Sequence, residues 1–158
     1  MPIPQFIVDL RARVGHDALW LPGVTAVVFD DAGRVLLVRR ADNDLWTLVT
    51  GALDPGEQPA VGAIREVVEE TAVTAVAERL LSVCALPLVV YGNGDQALYL
   101  DVAFRCRAVS GTARVNDDES VDVGWFRLNE LPASLPDRHR RCIQDAMDSN
   151  PAARFELG

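Results

Sequence analysis

Cysteine is scarce in this chain. Cys84, Cys106 and Cys142 have neither the spacing of a metal site nor that of a redox pair. They read as small buried hydrophobes or incidental surface thiols in a reducing compartment. Histidine is scarcer still, with only His16 and His139. Neither lies near a nucleophile motif, so no Ser/His/Asp or Cys/His set is in view, and each reads as a surface or capping residue. Apolar runs such as Val24–Phe29 are of strand length. No membrane span or signal peptide is therefore expected, and the cytoplasm is the default location. Positive charge is also short, with 15 Lys and Arg against 23 Asp and Glu and a formal net charge of −8. That balance argues against a broad nucleic-acid-binding surface, yet a single phosphate chain can be served by local arginines and a bound metal. Repeats and low-complexity tracts are absent.

What is present is an ordinary globular composition, 49% hydrophobic and 24% charged over 158 residues. One domain with a sizeable core is expected over residues 1–158. The most informative stretch is Gly51–Val73. Glu66, Glu69 and Glu70 stand at i, i+3 and i+4, so a helix puts all three on one face about 100° wide. Ala60, Val61, Ile64, Val67 and Val68 fall on the other side, which is expected to face the core. Carboxylates so placed repel one another by several tenths of a kcal/mol per pair. Hard oxygen ligands at this density suit Mg²⁺ or Mn²⁺. Before the helix, Gly51, Pro55 and Gly56 mark a loop, and Pro59 suits the first helical turn. Glu57 lies just outside the helix, where its carboxylate can fold back toward Arg65 and buttress the loop.

This stretch resembles the box of the Nudix hydrolases. Gly51, Glu57, Arg65, Glu66, Val67, Glu69, Glu70 and Val73 fit the pattern, and Ala72 stands where the family has its last glycine. Trp46 is similar to the family's tryptophan ahead of the box, while Val49-Thr50 replace the usual Pro-Gly. Tyr91, Asn93, Gly94 and Asp95 resemble a segment of a bacterial subgroup, and Asn129–Pro132 resembles the usual exit. The likeness covers about residues 22–132.

Taken in order, Met1–Gly15 reads as a helix with Phe6, Leu10 and Val14 on one stripe, and Trp20–Gly23 reads as a turn into the strand Val24–Phe29. Asp30–Gly33 turns the chain into the strand Arg34–Arg40, whose last two arginines alternate between sheet faces. After the box come a strand over Leu81–Val90, a turn at Tyr91–Asp95, a strand over Gln96–Ala108 and a polar loop over Ser110–Ser120. A strand over Val121–Phe126 and a closing helix over Pro136–Ser149 complete the pattern. The pattern alone gives an α/β fold. The resemblance implies the Nudix-like α/β/α sandwich with a mixed β-sheet, as a single Nudix-like domain. It would have a helical N-terminal segment, 1–21, and a C-terminal helix and tail, 133–158.

The resemblance further implies a Mg²⁺-dependent hydrolase, with Mn²⁺ as the alternative ion, that cleaves the diphosphate linkage of a nucleoside diphosphate joined to another group by water attack. Glu66, Glu69, Glu70 and the Thr50 carbonyl are the expected metal ligands, with Arg65 beside them. Arg40 is favoured over Arg39 as the substrate contact, and Glu57 and Gly51 support the site. The general base is Glu66 or Glu119, with Asp117 and Asp118 close to the latter in sequence. Alternatives are a nucleoside triphosphate pyrophosphohydrolase that sanitises the nucleotide pool, a silent nucleotide-sensing module, and a scaffold whose helix holds a structural ion. Attack on an RNA 5′ end fits the net acidity poorly. A homodimer is left open.

Overall fold

The computed structural model describes residues 3–157. Along the chain run α1 (Gln5–Val14), β1 (Leu19–Phe29), β2 (Val35–Arg40), β3 (Trp46–Thr47), β4 (Val49–Ala52) and α2 (Pro59–Thr71). They are followed by β5 (Thr74–Ala85), β6 (Val89–Val90), β7 (Gln96–Ser110), β8 (Ser120–Phe126) and α3 (Asp137–Met147). β1 runs parallel to β7 along its whole length, from Leu19 opposite Ala97 to Phe29 opposite Arg107. The remaining strand pairs are antiparallel, so the sheet is mixed. Its order is β3-β2-β1-β7-β5, with β4 on β1, β6 on β7 and β8 on β2.

Alternation along β1 sends its side chains to two cores. Val24, Ala26 and Val28 pack with Ala63 and Val67 of α2, and Val27 and Phe29 pack with Cys142, Ile143 and Ala146 of α3. Ile7 of α1 meets Leu21 and Ala97 in a third, smaller cluster. The result is the α/β/α sandwich with a mixed sheet. Among the described residues, no helix is long and apolar enough to cross a membrane.

Several local expectations need correction. Trp20–Gly23 is strand and not turn. Pairing of β4 stops at Gly23 opposite Ala52, and Pro22 ends the ladder there: its carbonyl accepts the Leu53 N–H at 3.1 Å, and its missing N–H falls at the limit of the pairing. On α1 the buried residue is Ile7, while Leu10 and Val14 are exposed. Arg11, one turn on from Ile7, takes the neighbouring space and donates to the carbonyls of Gly15, Asp17 and Gln96. The expected strand Leu81–Val90 is two pieces, β5 beginning already at Thr74 and β6 following Pro87. His139 is buried and accepts the Leu48 N–H at Nδ1, 2.8 Å away, whereas His16 is at the surface on Asp95. Cys106 and Cys142 are buried and Cys84 is half-buried, all as free thiols.

Ala72 ends α2 in left-handed geometry, with φ 57° and ψ 16°, and its N–H caps Val68 O at 3.0 Å. An L-residue with a Cβ is strained there and glycine is not. Ala72→Gly is expected to stabilise the protein by about 1 kcal/mol. Thermal unfolding should show a rise of about 2–4 °C, and no rise would mean that Ala72 is relaxed.

His139 provides a pH test. Burial first, then the charges of Arg138 and Arg40, push its pKa down to about 3 from an ordinary value of 6.5. The folded protein therefore holds a neutral ring that the unfolded chain would protonate. The resulting stability is complete above about pH 6.5 and is lost as pH falls toward 3, at up to about 1.4 kcal/mol per pH unit. Urea unfolding at pH 7.5, 6 and 5 should show a steeper acid loss in the natural protein than in His139→Asn.

Candidate active site

The loop between β4 and α2 is tied to the helix through Arg65. Its Nε donates to Glu57 Oε1 and its Nη2 to Glu57 Oε2, both at 2.8 Å. This two-bond fork fixes direction as well as distance. The same carboxylate accepts the Asp54 N–H at 3.1 Å, closing the loop on itself. Arg65 Nη2 also reaches Ala52 O at 3.1 Å, while Nη1 donates to Glu66 Oε1 at 2.9 Å and to Glu69 Oε2 at 3.2 Å. Hydrogen bonding to Arg65 holds the Glu57 pKa below the usual carboxylate range.

The carboxylate face of α2 is not turned outward. Glu66 and Glu70 are buried, together with Gly62, Ala63, Val67 and Thr71, whereas Val61 is 60% exposed and Val68 39%. The expected apolar face therefore holds only in part. The rotation has a steric cause: a Cβ on Gly51 would lie 2.0 Å from Glu66 Cδ and Oε1, so the Glu66 side chain fills the space that glycine leaves. Gly62 does the same for the ion pair, since its Cβ would stand 2.3 Å from Leu53 Cδ2 and 2.8 Å from Glu57 Oε2. Sequence reasoning missed Gly62. Its signal was a glycine inside a helix, where the residue is unfavourable unless packing requires it.

Burial raises the Glu66 pKa to about 7, against the opposing pull of Arg65. Glu70 is raised well above the ordinary value, first by burial and then by the charges of Glu66, Asp117 and Glu119. Glu69 stays half-exposed on Arg65. Among the described residues, no three His, Cys, Asp or Glu side chains are drawn into a metal-ligating group. In donor chemistry, though, the site suits a hard divalent ion: buried carboxylate oxygens in excess of the local positive charge.

A cavity of about 480 Å³ opens beside Glu66. Thr50, Gly51, Glu66, Glu119 and Arg40 line it, together with Leu21, Tyr99, Asp101, Arg138 and Arg11. Glu69 and Glu70 do not line it, and neither does Arg39. The irregular register at Arg39/Arg40 separates the two arginines. Arg39 pairs with Asp44 at 3.2 Å and Asp122 at 3.8 Å. Arg40 faces the cavity with Nε and Nη2 each 2.9 Å from Asp42. Glu119 is presented by a turn in which Asp117 Oδ1 accepts the N–H groups of Glu119 and Ser120. Sequence reasoning also missed Thr25, Asp101 and Arg138. Each comes from a separate element, and nothing in its local pattern marks it.

The NUDIX domain profile matches residues 19–146. A MutT-like protein of Streptomyces ambofaciens is 33% identical over 136 residues, which cover 85% of this chain and 82% of the relative. A putative 8-oxo-dGTP diphosphatase of Bacillus subtilis (strain 168) is 28% identical over 127 residues, covering 80% of each chain. The crystal structure of a UDP-X diphosphatase superposes with a TM-score of 0.63 at 25% identity, covering 90% of this chain and 68% of that one.

Gly51→Ala tests the close approach. Its Cβ must displace the Glu66 side chain, so the variant is expected to lose hydrolytic activity by about a hundredfold or more. Steady-state kinetics with a folded variant checks this, and near-normal turnover would show that the position of Glu66 is not critical. The profile match, the first of these relatives and the box that Arg65 holds together agree: the chain belongs to the Nudix family and is a Nudix-type pyrophosphohydrolase acting on acid anhydrides.

Proposed function

We propose that the protein hydrolyses the diphosphate linkage of a nucleoside diphosphate joined to another moiety, with Mg²⁺, or Mn²⁺ in its place. The observation that carries this reading is the Arg65 fork, which fixes a helix with buried Glu66 and Glu70 beside a cavity lined by Arg40 and Glu119. Glu66, Glu69, Glu70 and the Thr50 carbonyl would hold the ion, which when bound neutralises the diphosphate and acidifies water. Arg65 acts as a positioning residue, through Glu57 and the helix carboxylates. Arg40 orients a phosphoryl group, with Asp42 holding its other edge. Arg39 lies one strand position away and would act on charge alone. Glu119 is the candidate base at the cavity wall, and Glu66 is the other. Water adds its oxygen to one phosphorus, the bridging P–O bond breaks, and the water proton passes to the base and then to the departing phosphate. The products are a nucleoside monophosphate and the phosphorylated moiety.

A second reading, a nucleoside triphosphate pyrophosphohydrolase, is favoured by the Bacillus relative's name. A panel of ADP-ribose, NADH, nucleotide sugars, dinucleoside polyphosphates and modified triphosphates separates the two. Turnover of the joined diphosphates supports the first reading, turnover of triphosphates alone supports the second, and turnover of none sinks both. We take the site to act within a single domain, on small nucleotides and in the cytoplasm.

Metal removal is the independent test. An ion that binds only the folded site stabilises it by about 2.7 kcal/mol at one hundred times its Kd. The melting midpoint should rise by about 5–10 °C in a saturable way with Mg²⁺ or Mn²⁺, and NaCl of equal ionic strength should not reproduce the rise. Glu70→Gln should shrink the rise, leave the metal-free protein no less stable and remove most of the activity. Identical midpoints with and without metal would overturn the assignment.

A further inference from the structure

Arg138 stands in the first turn of α3, outside the Gly51–Val73 box, and its side chain reaches the cavity wall. Its Nη1 donates to Asp101 Oδ2 at 3.2 Å and to Thr25 Oγ1 at 3.3 Å. Both partners are buried, and Thr25 Oγ1 in turn donates to Asp101 Oδ1 at 2.8 Å. One edge of the guanidinium is thus fixed from behind.

The other edge is not satisfied by the protein. Nη2 stands 2.7 Å from His139 Nε2. Because His139 Nδ1 accepts the Leu48 N–H, a neutral ring carries its proton on Nε2, so a donor faces a donor. The Arg138 Nε–H has no acceptor among the described residues, and it is not sealed from solvent. Arg40 is built the same way: Asp42 takes Nε and Nη2, and Nη1 has no acceptor among the described residues. Arg40 and Arg138 line the same cavity, and Arg138 touches the buried His139 ring. Arg11 differs, since both its terminal nitrogens already serve backbone carbonyls. Arg40, held first by Asp42, also feels the charges of Glu119 and Glu70.

We propose that Arg138 and Arg40 form a two-arginine clamp on the phosphate chain of the ligand, Arg40 taking the phosphoryl group nearer the carboxylates and Arg138 the next one. The nucleotide identity of the ligand rests on the function proposed above, but the clamp itself requires only linked phosphates. Planar guanidinia with one carboxylate-held edge and one open edge suit oxyanions, and their orientation is set before the ligand arrives.

The test is calorimetric titration of the metal-free protein with inorganic pyrophosphate and, separately, inorganic phosphate. Arg138→Gln is expected to weaken pyrophosphate binding by about tenfold or more and phosphate binding by less than about threefold, whereas Arg40→Gln weakens both by about tenfold. Asp101→Asn, which keeps the guanidinium, should stay within about threefold of the natural protein for pyrophosphate. The clamp is overturned if the natural protein does not bind pyrophosphate or if Arg138→Gln binds it normally. It is also overturned if Asp101→Asn loses as much affinity as Arg138→Gln with an equal fall in melting temperature, the mark of a structural role. Should Arg138→Gln not fold, Arg138→Lys replaces it, with a loss of at least about threefold expected because an ammonium lacks the open fork, and unchanged affinity overturns the clamp. Pyrophosphate binding with this pattern, but no turnover of any nucleotide in the panel, leaves the clamp standing and removes the functional reading.

Discussion

The guanidinium of Arg65 lies between Glu57 of the loop and Glu66 and Glu69 of the helix, and one positive charge serves three negative ones. Two unit charges 4 Å apart interact by about 4 kcal/mol in the dielectric of a partly buried site. Arg65 can therefore organise this group without neutralising it. Glu70, buried one turn beyond Glu66, adds a further carboxylate. The excess is held in place because the loop, the fork and the helix are one closed structure, with Ala52 O and the Asp54 N–H completing it. Such a structure has a standing demand for positive charge, and its donor oxygens decide which kind. This is the physical link between a local ion pair and the metal-dependent hydrolysis proposed above.

The demand could not persist if the helix were free to turn. A helix with Val61 and Val68 on one flank and glutamates on the other would ordinarily bury the valines. Here the two glycines decide otherwise. Gly51 leaves space for the Glu66 side chain, and Gly62 leaves space for Leu53 and for the Glu57 carboxylate that holds Arg65. Ala63 and Val67 still anchor the helix on the sheet through Val24, Ala26 and Val28. Stability and function thus divide the helix surface between them, and the raised Glu66 and Glu70 pKa values mark the share that stability gives up.

Which parts of this were legible in the sequence follows from the range of the interactions involved. The box could be read because Glu57, Arg65, Glu66 and Glu69 meet within one loop and one helix, where spacing and proximity are nearly the same thing. The sandwich followed from strand and helix patterns joined to the family likeness. The depth of Glu66 was hidden, since it depends on a glycine fifteen positions earlier that is in contact only after folding. Pro22 misled because a proline interrupts strands only where an N–H is needed, and that depends on where β4 ends. His139 and the Thr25–Asp101–Arg138 group were out of reach for a similar reason. Their partners come from β1, β7, α3 and the β3–β4 junction, and no sequence period links those elements.

The cavity also bears on how an anionic ligand can be bound by a protein of net charge −8. Long-range attraction needs unbalanced positive potential over a wide surface. Arg40, Arg138 and Arg11 line this cavity, yet Arg40 has Asp42, Arg138 has Asp101, and Arg11 has Asp95 at 3.5 Å. At the distance of an approaching ligand, each pair is close to neutral. Within hydrogen-bonding range, a pair is strongly directional, because the carboxylate occupies one edge of the guanidinium and aims the other. Recognition in such a cavity is governed by contact and not by steering: the arginines can hold linked phosphates through hydrogen bonds, and a cation would add the charge that they lack. The carboxylates and the aimed but neutralised arginines that line this cavity are therefore two halves of one arrangement: a bound cation would supply the charge, and the arginines would supply the direction.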